Sequence, residues 1–139
     1  MFKHIMAPVD LAHVERLGRA LNVTVEEARA HGCPVTFVSV AAAAPSAIAH
    51  TPAEFKSKLE AFVAGIRTEH GIEARAHPII SHDPVTDIDD ALLKAVGDLD
   101  ADLVVMGTHK PGATEYIWPS NGGKVASHTS ASVLLVRDA

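Results

Sequence analysis

The residues that could do chemistry cluster in one stretch, "VVMGTHKPGATEYIWPSNGG", from Val104 to Gly123. Gly107 follows an apolar strand-like run, and Ser120-Asn121-Gly122-Gly123 opens a helix-like one, so main-chain amides from both could point into one small space. Unpaired N–H groups at a helix start carry partial positive charge, and glycine lets a ligand approach the backbone closely, so the chemistry this suits is anion binding, phosphate above all. The spacing matches neither GxGxxG nor GxxxxGK[ST]. The same residues also fit a plainer role in which Ser120 caps its helix and the glycines make turns.

A second candidate is Asp10, at the end of the apolar run "FKHIMAPV". A carboxylate there can accept from a ligand hydroxyl or amine, or it can cap the helix that follows. Of the nine histidines, His13, His50, His82 and His109 fall near expected strand ends with Asp10 and Asp83. No two of these four lie four apart on a helix, so no metal site is assigned to them. No nucleophile stands beside a base and no carboxylate pair has reason to share a site, so no catalytic residue is assigned either.

The elements that must position these residues are legible as alternating patterns. Residues 2 to 9 read as a strand, and Val14, Leu17, Leu21, Val25 and Ala28 repeat at helical spacing across 14 to 31 before Gly32. "PVTFVSVA" is a β-branched run suited to a buried strand. Residues 41 to 51 have no period and are the expected mobile loop. Thr51-Pro52 with Glu54 supplies an N-cap, an N1 proline and an acidic first turn for a helix whose face is Phe55, Leu59, Phe62, Val63 and Ile66 and which stops at His70-Gly71. "IEARAHPII" alternates as a third strand, and 85 to 98 carries Ile88, Leu92, Leu93 and Val96 as a third helical face. Then come a strand at 102–106, the glycine-rich loop, a helix in "GKVASHTS" and a last strand "SVLLVR". The order β-α-β-α-β-α-β-α-β predicts a single doubly wound α/β domain over 1–139 with five parallel strands, whose ligand crevice lies beyond the strands' carboxyl ends where chain order reverses.

Composition narrows the partners. The chain has 139 residues, 47% of them apolar, and a net charge of −5 with scattered cations, which leaves no basic stripe for nucleic acid. No apolar run approaches the ~20 residues that span a bilayer, and Asp10 interrupts any leader-like core, so a soluble, cytoplasmic protein is expected. The single cysteine, Cys33, reads as a structural thiol.

Taken together, "KHIMAPVD", "LVVMGTHKPG" and "PSNGGKVASHTSASVLLVR" resemble the universal stress protein family over essentially the whole chain, a fold of the adenine-nucleotide alpha-hydrolase-like kind. In that family the last loop commonly reads Gly, two residues, Gly, nine residues, then Gly-Ser or Gly-Thr. Here Gly107 keeps the first glycine, Lys110 replaces the second, and Pro119-Ser120 stands at the end with one fewer residue between. The resemblance implies a bound ATP or AMP, with Mg2+ held through its phosphates. Asp10 would meet the ribose hydroxyls or adenine edge, Pro8 and Val9 would line the base pocket, and Val40 would close its far side. Met106 and Gly107 would flank the sugar, while Ser120 and Asn121 hold the phosphates. Lys110 would add a cationic contact in place of a glycine amide, and Gly112 the flexibility displaced from position 110. Tyr116 and Trp118 read as loop anchors. The resemblance further implies a homodimer through the C-terminal strand, a regulatory protein partner, and at most slow ATP hydrolysis. A nucleotide-independent dimeric interaction module with a degraded phosphate loop is the alternative, and an enzyme using the histidine rim a third.

Overall fold

A computed structural model describes residues 1–42, 44–45, 48–82, 88–108 and 121–137. The strands are β1 (Ile5–Pro8), β2 (Val35–Ala42), β3 (Ala74–Ser81), β4 (Leu103–Thr108) and β5 (Ser132–Arg137). The helices are α1 (Gly18–His31), α2 (Pro52–His70), α3 (Ile88–Asp98) and α4 (Asn121–His128), with a 3-10 segment at Leu11–Arg16. All pairings are parallel and the sheet order is β3-β2-β1-β4-β5, so chain order reverses between β1 and β4. This is the doubly wound α/β architecture that the alternating pattern predicts.

Strand residues of opposite parity feed two cores. Ile5, Ala7, Phe37, Leu103 and Val105 pack beneath α1 and α2, with Phe37 meeting Phe62 edge-on at 5.8 Å between ring centroids. Met6, Val38, Val104 and Met106 pack beneath α3 and α4 against Leu92, Val96 and Val125. Every residue of β1 is buried, as expected of a strand covered on both faces.

The helix from Thr51 forms as its signals predict: the Thr51 hydroxyl accepts from Glu54 N–H at 3.1 Å, Pro52 takes the first turn, and Gly71 closes it at φ 67°. The first helix departs from expectation. Asp10 Oδ1 accepts from Ala12 N–H at 2.9 Å, starting a 3-10 segment at Leu11, and His13 takes non-helical angles. The α-helix begins only at Gly18, so Val14, expected on the buried face, is 41% exposed. β4 runs through Thr108, two residues beyond the expected end, because Gly107 and Thr108 pair with Val136 and Arg137. In the loop before α2, Lys58 Nζ donates to the Ile48 carbonyl and Glu54 accepts from His50 N–H. Cys33 is buried in the first core, and that burial, with the nearby Asp102 charge, pushes its thiol up from the ordinary value.

The amino-terminal end of the central strands is clamped. Asp102, just before β4, accepts from the N–H groups of Lys3 (3.0 Å) and His4 (3.0 Å). The His4 ring then bridges from Nδ1–H to the Leu99 carbonyl at 2.8 Å, with Nε2 2.7 Å from Thr36 Oγ1. Burial acts to raise the Asp102 carboxyl, but the backbone hydrogen bonds from His4 and Lys3 outweigh it and hold it below its ordinary 3.8. A lowered folded value contributes stability that is fully present above the unfolded value and is lost as pH falls through the folded one. Urea unfolding should therefore find Asp102→Asn less stable than the parent at pH 7, with the difference shrinking below about pH 4; a difference constant with pH would contradict this clamp.

Candidate functional site

A parallel strand turns its peptide groups alternately to its two neighbours. In β1 the odd residues face β2: Ile5 N–H donates to Pro34 C=O at 3.0 Å and Val9 N–H to Val38 C=O at 2.8 Å. The even residues face β4, where His4 C=O accepts from Asp102 N–H at 3.1 Å. Pairing of β1 with β4 covers Ile5 with Leu103 and Met6 with Val104, and stops there. The next bond in register would run from the N–H of residue 8 to the Val105 carbonyl, and Pro8 has no N–H.

Beyond that point β1 is drawn to β2. Val9 gives its N–H to Val38, and its carbonyl accepts from the Ser39 hydroxyl at 2.7 Å. Ser39 is 1% exposed, a buried hydroxyl whose partner is this carbonyl. The β1–β2 register ends at Pro8 with Val38, so the ladder with β1 does not use the Val40 N–H. The hydrogen bonding of the two strands at the chain reversal is thus split at their carboxyl ends, and a small cavity lies between these strands and α1, lined by Pro8, Val9 and Val105 together with Leu21, Thr24 and Phe37 of the packed interior.

The structure places the sequence-predicted residues around this split as follows. Pro8 and Val9 form the β1 lip, both buried. Asp10 follows directly; Oδ1 is held by Ala12 N–H and Oδ2 by His13 Nδ1, both at 2.9 Å, so the side chain serves as the cap. Each oxygen keeps a second lone pair for a further donor. Val40 lies on the β2 side, packed against the α3–α4 core. Met106 is 2% exposed inside that core and its peptide groups belong to the β5 ladder, so its side chain is a packing element rather than part of the rim. Gly107 has the parity that faces β1, which aims its N–H across the split. A Cβ there would stand 3.3 Å from Ala20 Cβ, a tight contact with α1.

Asn121 opens α4, and Val125, one turn on, shares the buried cluster of Met6 and Met106, which brings the start of that helix to the carboxyl side of the split. Lys124 in this first turn lies 3.7 Å from Asp89 and 3.5 Å from Asp90 of α3. Lys110, Gly112, Tyr116, Trp118 and Ser120, with the side chain of Asn121, lie outside the described residues. Among the described residues no group of three or more His, Cys, Asp or Glu side chains is arranged to hold a metal ion, and no helix is long and apolar enough to cross a membrane. Sequence reasoning missed Ser39, whose signal was a lone hydroxyl in the apolar run "VTFVSVA"; it set His13 beside Asp10 at the rim but did not pair the two.

An α/β sheet split at its switch point defines a class of small-ligand-binding folds. The family model described as the universal stress protein family matches residues 1–137, and the chain belongs to that family. It is similar to universal stress protein G of Salmonella typhimurium, 26% identical over 99% of this chain and 100% of that one. A universal stress protein from Archaeoglobus fulgidus has the same fold, at TM-score 0.71 and 24% identity over 97% of this chain and 98% of that one. So has one from Archaeoglobus fulgidus in complex with dAMP, at TM-score 0.66 and 23% identity over 96% of each chain. A universal stress protein in complex with cAMP matches at TM-score 0.68 and 17% identity over 99% of each chain.

Removing the Ser39 hydroxyl leaves the Val9 carbonyl without its partner. Ser39→Ala should lower stability by about 1–3 kcal/mol, the cost of an unsatisfied buried acceptor, measured by urea unfolding; an unchanged midpoint would mean that Ser39 does not hold the β1 lip.

Proposed function

We propose that this chain binds an adenine nucleotide, ATP or AMP, in the split between β1 and β4 and acts as a stress-linked sensor or regulator. The observation that carries the reading is the split itself, where the Gly107 amide faces the β1 lip and Asp10 stands at its end. Similar folds in complex with dAMP and cAMP support adenine and a phosphate as the shared ligand chemistry. On this reading Pro8 and Val9 line the base, Val40 closes its far side, and Asp10 accepts from ribose hydroxyls or the adenine edge. Gly107 meets the sugar. Ser120 and Asn121, at the head of α4, hold the phosphates, assisted by Lys110, with Gly112 giving the loop its freedom and Mg2+ carried by the phosphates themselves. No general base or nucleophile is assigned, so hydrolysis of ATP is slow.

The second part of the proposal is a homodimer through β5, working in the cytoplasm with a regulatory protein partner. Ser132 N–H donates to Asp102 C=O, so the odd residues Val133 and Leu135 aim their N–H groups away from the sheet. Leu134 and Leu135, on opposite faces, are 36% and 41% exposed. The opposite edge is different: β3 turns its odd residues to β2, which leaves Pro78 with its missing N–H outward, blunting that edge. The β5 edge, with no proline among its outward residues, offers its donors and these apolar flanks to a second copy.

A thermal-shift titration with ATP, ADP and AMP, with and without Mg2+, tests the first part. Ligand at 100 times its dissociation constant should add about 2.7 kcal/mol of stability. Asp10→Asn, which keeps an acceptor for Ala12 N–H, should weaken binding about tenfold by calorimetry, the loss of one charge-assisted hydrogen bond. No shift at millimolar nucleotide would favour the nucleotide-independent dimeric module instead. For the dimer, Leu135→Lys should give a monomer in sedimentation, and a dimer unaffected by that change would place the interface elsewhere.

A further inference from the structure

We infer that Ser39 keeps the Val40 amide available to the ligand, by taking the Val9 carbonyl that this amide would otherwise bond. β2 turns its odd residues to β3, where Val35 N–H donates to the Glu73 carbonyl at 2.9 Å, and its even residues to β1. On the β1 side the Val38 carbonyl accepts from Val9 N–H at 2.8 Å. The next bond of a parallel ladder would run from Val40 N–H to the Val9 carbonyl and would set Val9 beside Ser39. The ladder ends one pair earlier, at Pro8 with Val38. The carbonyl accepts instead from the Ser39 hydroxyl at 2.7 Å. Among the described residues no acceptor meets the Val40 N–H.

A carbonyl can accept twice, so direction decides the matter rather than occupancy. Ser39 alternates with Val35 and Phe37, which lie in the core beneath α1 and α2, so its hydroxyl stands out of the plane of the sheet. A carbonyl turned toward that hydroxyl points away from the Val40 N–H, which stays in the plane. A side-chain hydroxyl here displaces a ladder bond. Ser39 is 1% exposed and has one hydroxyl proton, and the Val9 carbonyl receives it. β2 itself runs on past this point, paired with β3 as far as Ala42 with Ser81, so Val40 is held as a strand residue. Its half-buried N–H is thus a fixed main-chain donor directed at the end of β1, and such a donor calls for an acceptor. On the nucleotide reading above, on which the ligand half of this inference rests, that acceptor is a ring nitrogen of the base. Ser39 is a positioning residue, acting on the Val40 amide through the Val9 carbonyl.

The test compares the full-length parent with Ser39→Ala and Ser39→Thr by amide hydrogen exchange and by calorimetry with AMP. In the parent, Val40 should exchange about tenfold or more faster than Val38, whose amide lies inside the ladder. Removing the hydroxyl lets the Val9 carbonyl swing back toward the sheet plane, where the Val40 N–H recovers part of the lost bonding. In Ser39→Ala, exchange at Val40 should therefore slow about tenfold or more, and AMP affinity should fall about tenfold or more. Ser39→Thr, which keeps a hydroxyl, should restore both. A weaker fold speeds exchange, so slowing at Val40 in a less stable variant has no merely structural explanation. If Val40 in the parent is as protected as Val38, the inference is overturned without any variant. It is likewise overturned if Ser39→Ala leaves Val40 exchange unchanged, or slows it while AMP binds as to the parent; the nucleotide reading then stands. Failure of Ser39→Thr to restore either property, in a variant that keeps the parent's thermal midpoint, overturns it too. If the parent does not bind AMP but Val40 slows as described, the nucleotide reading fails and the hold of Ser39 on the Val40 amide remains.

Discussion

The structure depends on the parity of main-chain hydrogen bonding in its central strand. β1 has neighbours on both sides, so each of its peptide groups is assigned in advance to β2 or β4 by whether its number is odd or even. One residue without a donor, Pro8, falls on the β4 side, and hydrogen-bonded pairing along that seam stops at Met6 with Val104. That seam is the place where chain order reverses, which is where folds of this kind form their ligand crevice. On the other side of β1, the Ser39 hydroxyl holds the Val9 carbonyl against β2.

The opposite end of the same strands is closed by polar contacts. Asp102 gathers the first N–H groups of the chain, and the His4 ring ties the end of α3 to β2 through Leu99 and Thr36. A strand set clamped at its amino-terminal end, with packed helices on both faces, is a rigid frame for whatever its carboxyl end holds. The same frame sets limits on individual residues. A Cβ at position 107 would press on Ala20 at 3.3 Å, and Met106 is committed to the second core. On the proposed reading, the role at β4 therefore falls to the Gly107 amide.

Much of the fold was legible because local signals agreed. Thr51, Pro52, Glu54 and Gly71 bound α2 in the sequence as they do in three dimensions. The first helix was misjudged because an apolar spacing of three and four from Val14 onward ignored the local competition from Asp10, whose cap starts a 3-10 turn and leaves Val14 outside. The end of β4 was placed early because a glycine reads as a stop, whereas pairing with Val136 and Arg137 carries the strand through it. Of the site, Pro8, Val9, Asp10, Val40 and Gly107 surround the split, yet the split itself could not be read from the sequence. It requires knowing which strands are neighbours and in what register, information that periodicity does not hold. Ser39 escapes a sequence reading for the same reason, since it matters only through a partner that folding supplies.

The central claim is that main-chain groups at the β1 and β4 ends receive an adenine nucleotide. An amide-resolved NMR titration of the full chain with AMP reads those groups directly. The account predicts that the largest shift changes fall together on the amides of Val9, Asp10, Val40 and Gly107, with a second set at the start of α4. Changes confined to other surfaces, or none at saturating millimolar AMP, would contradict it.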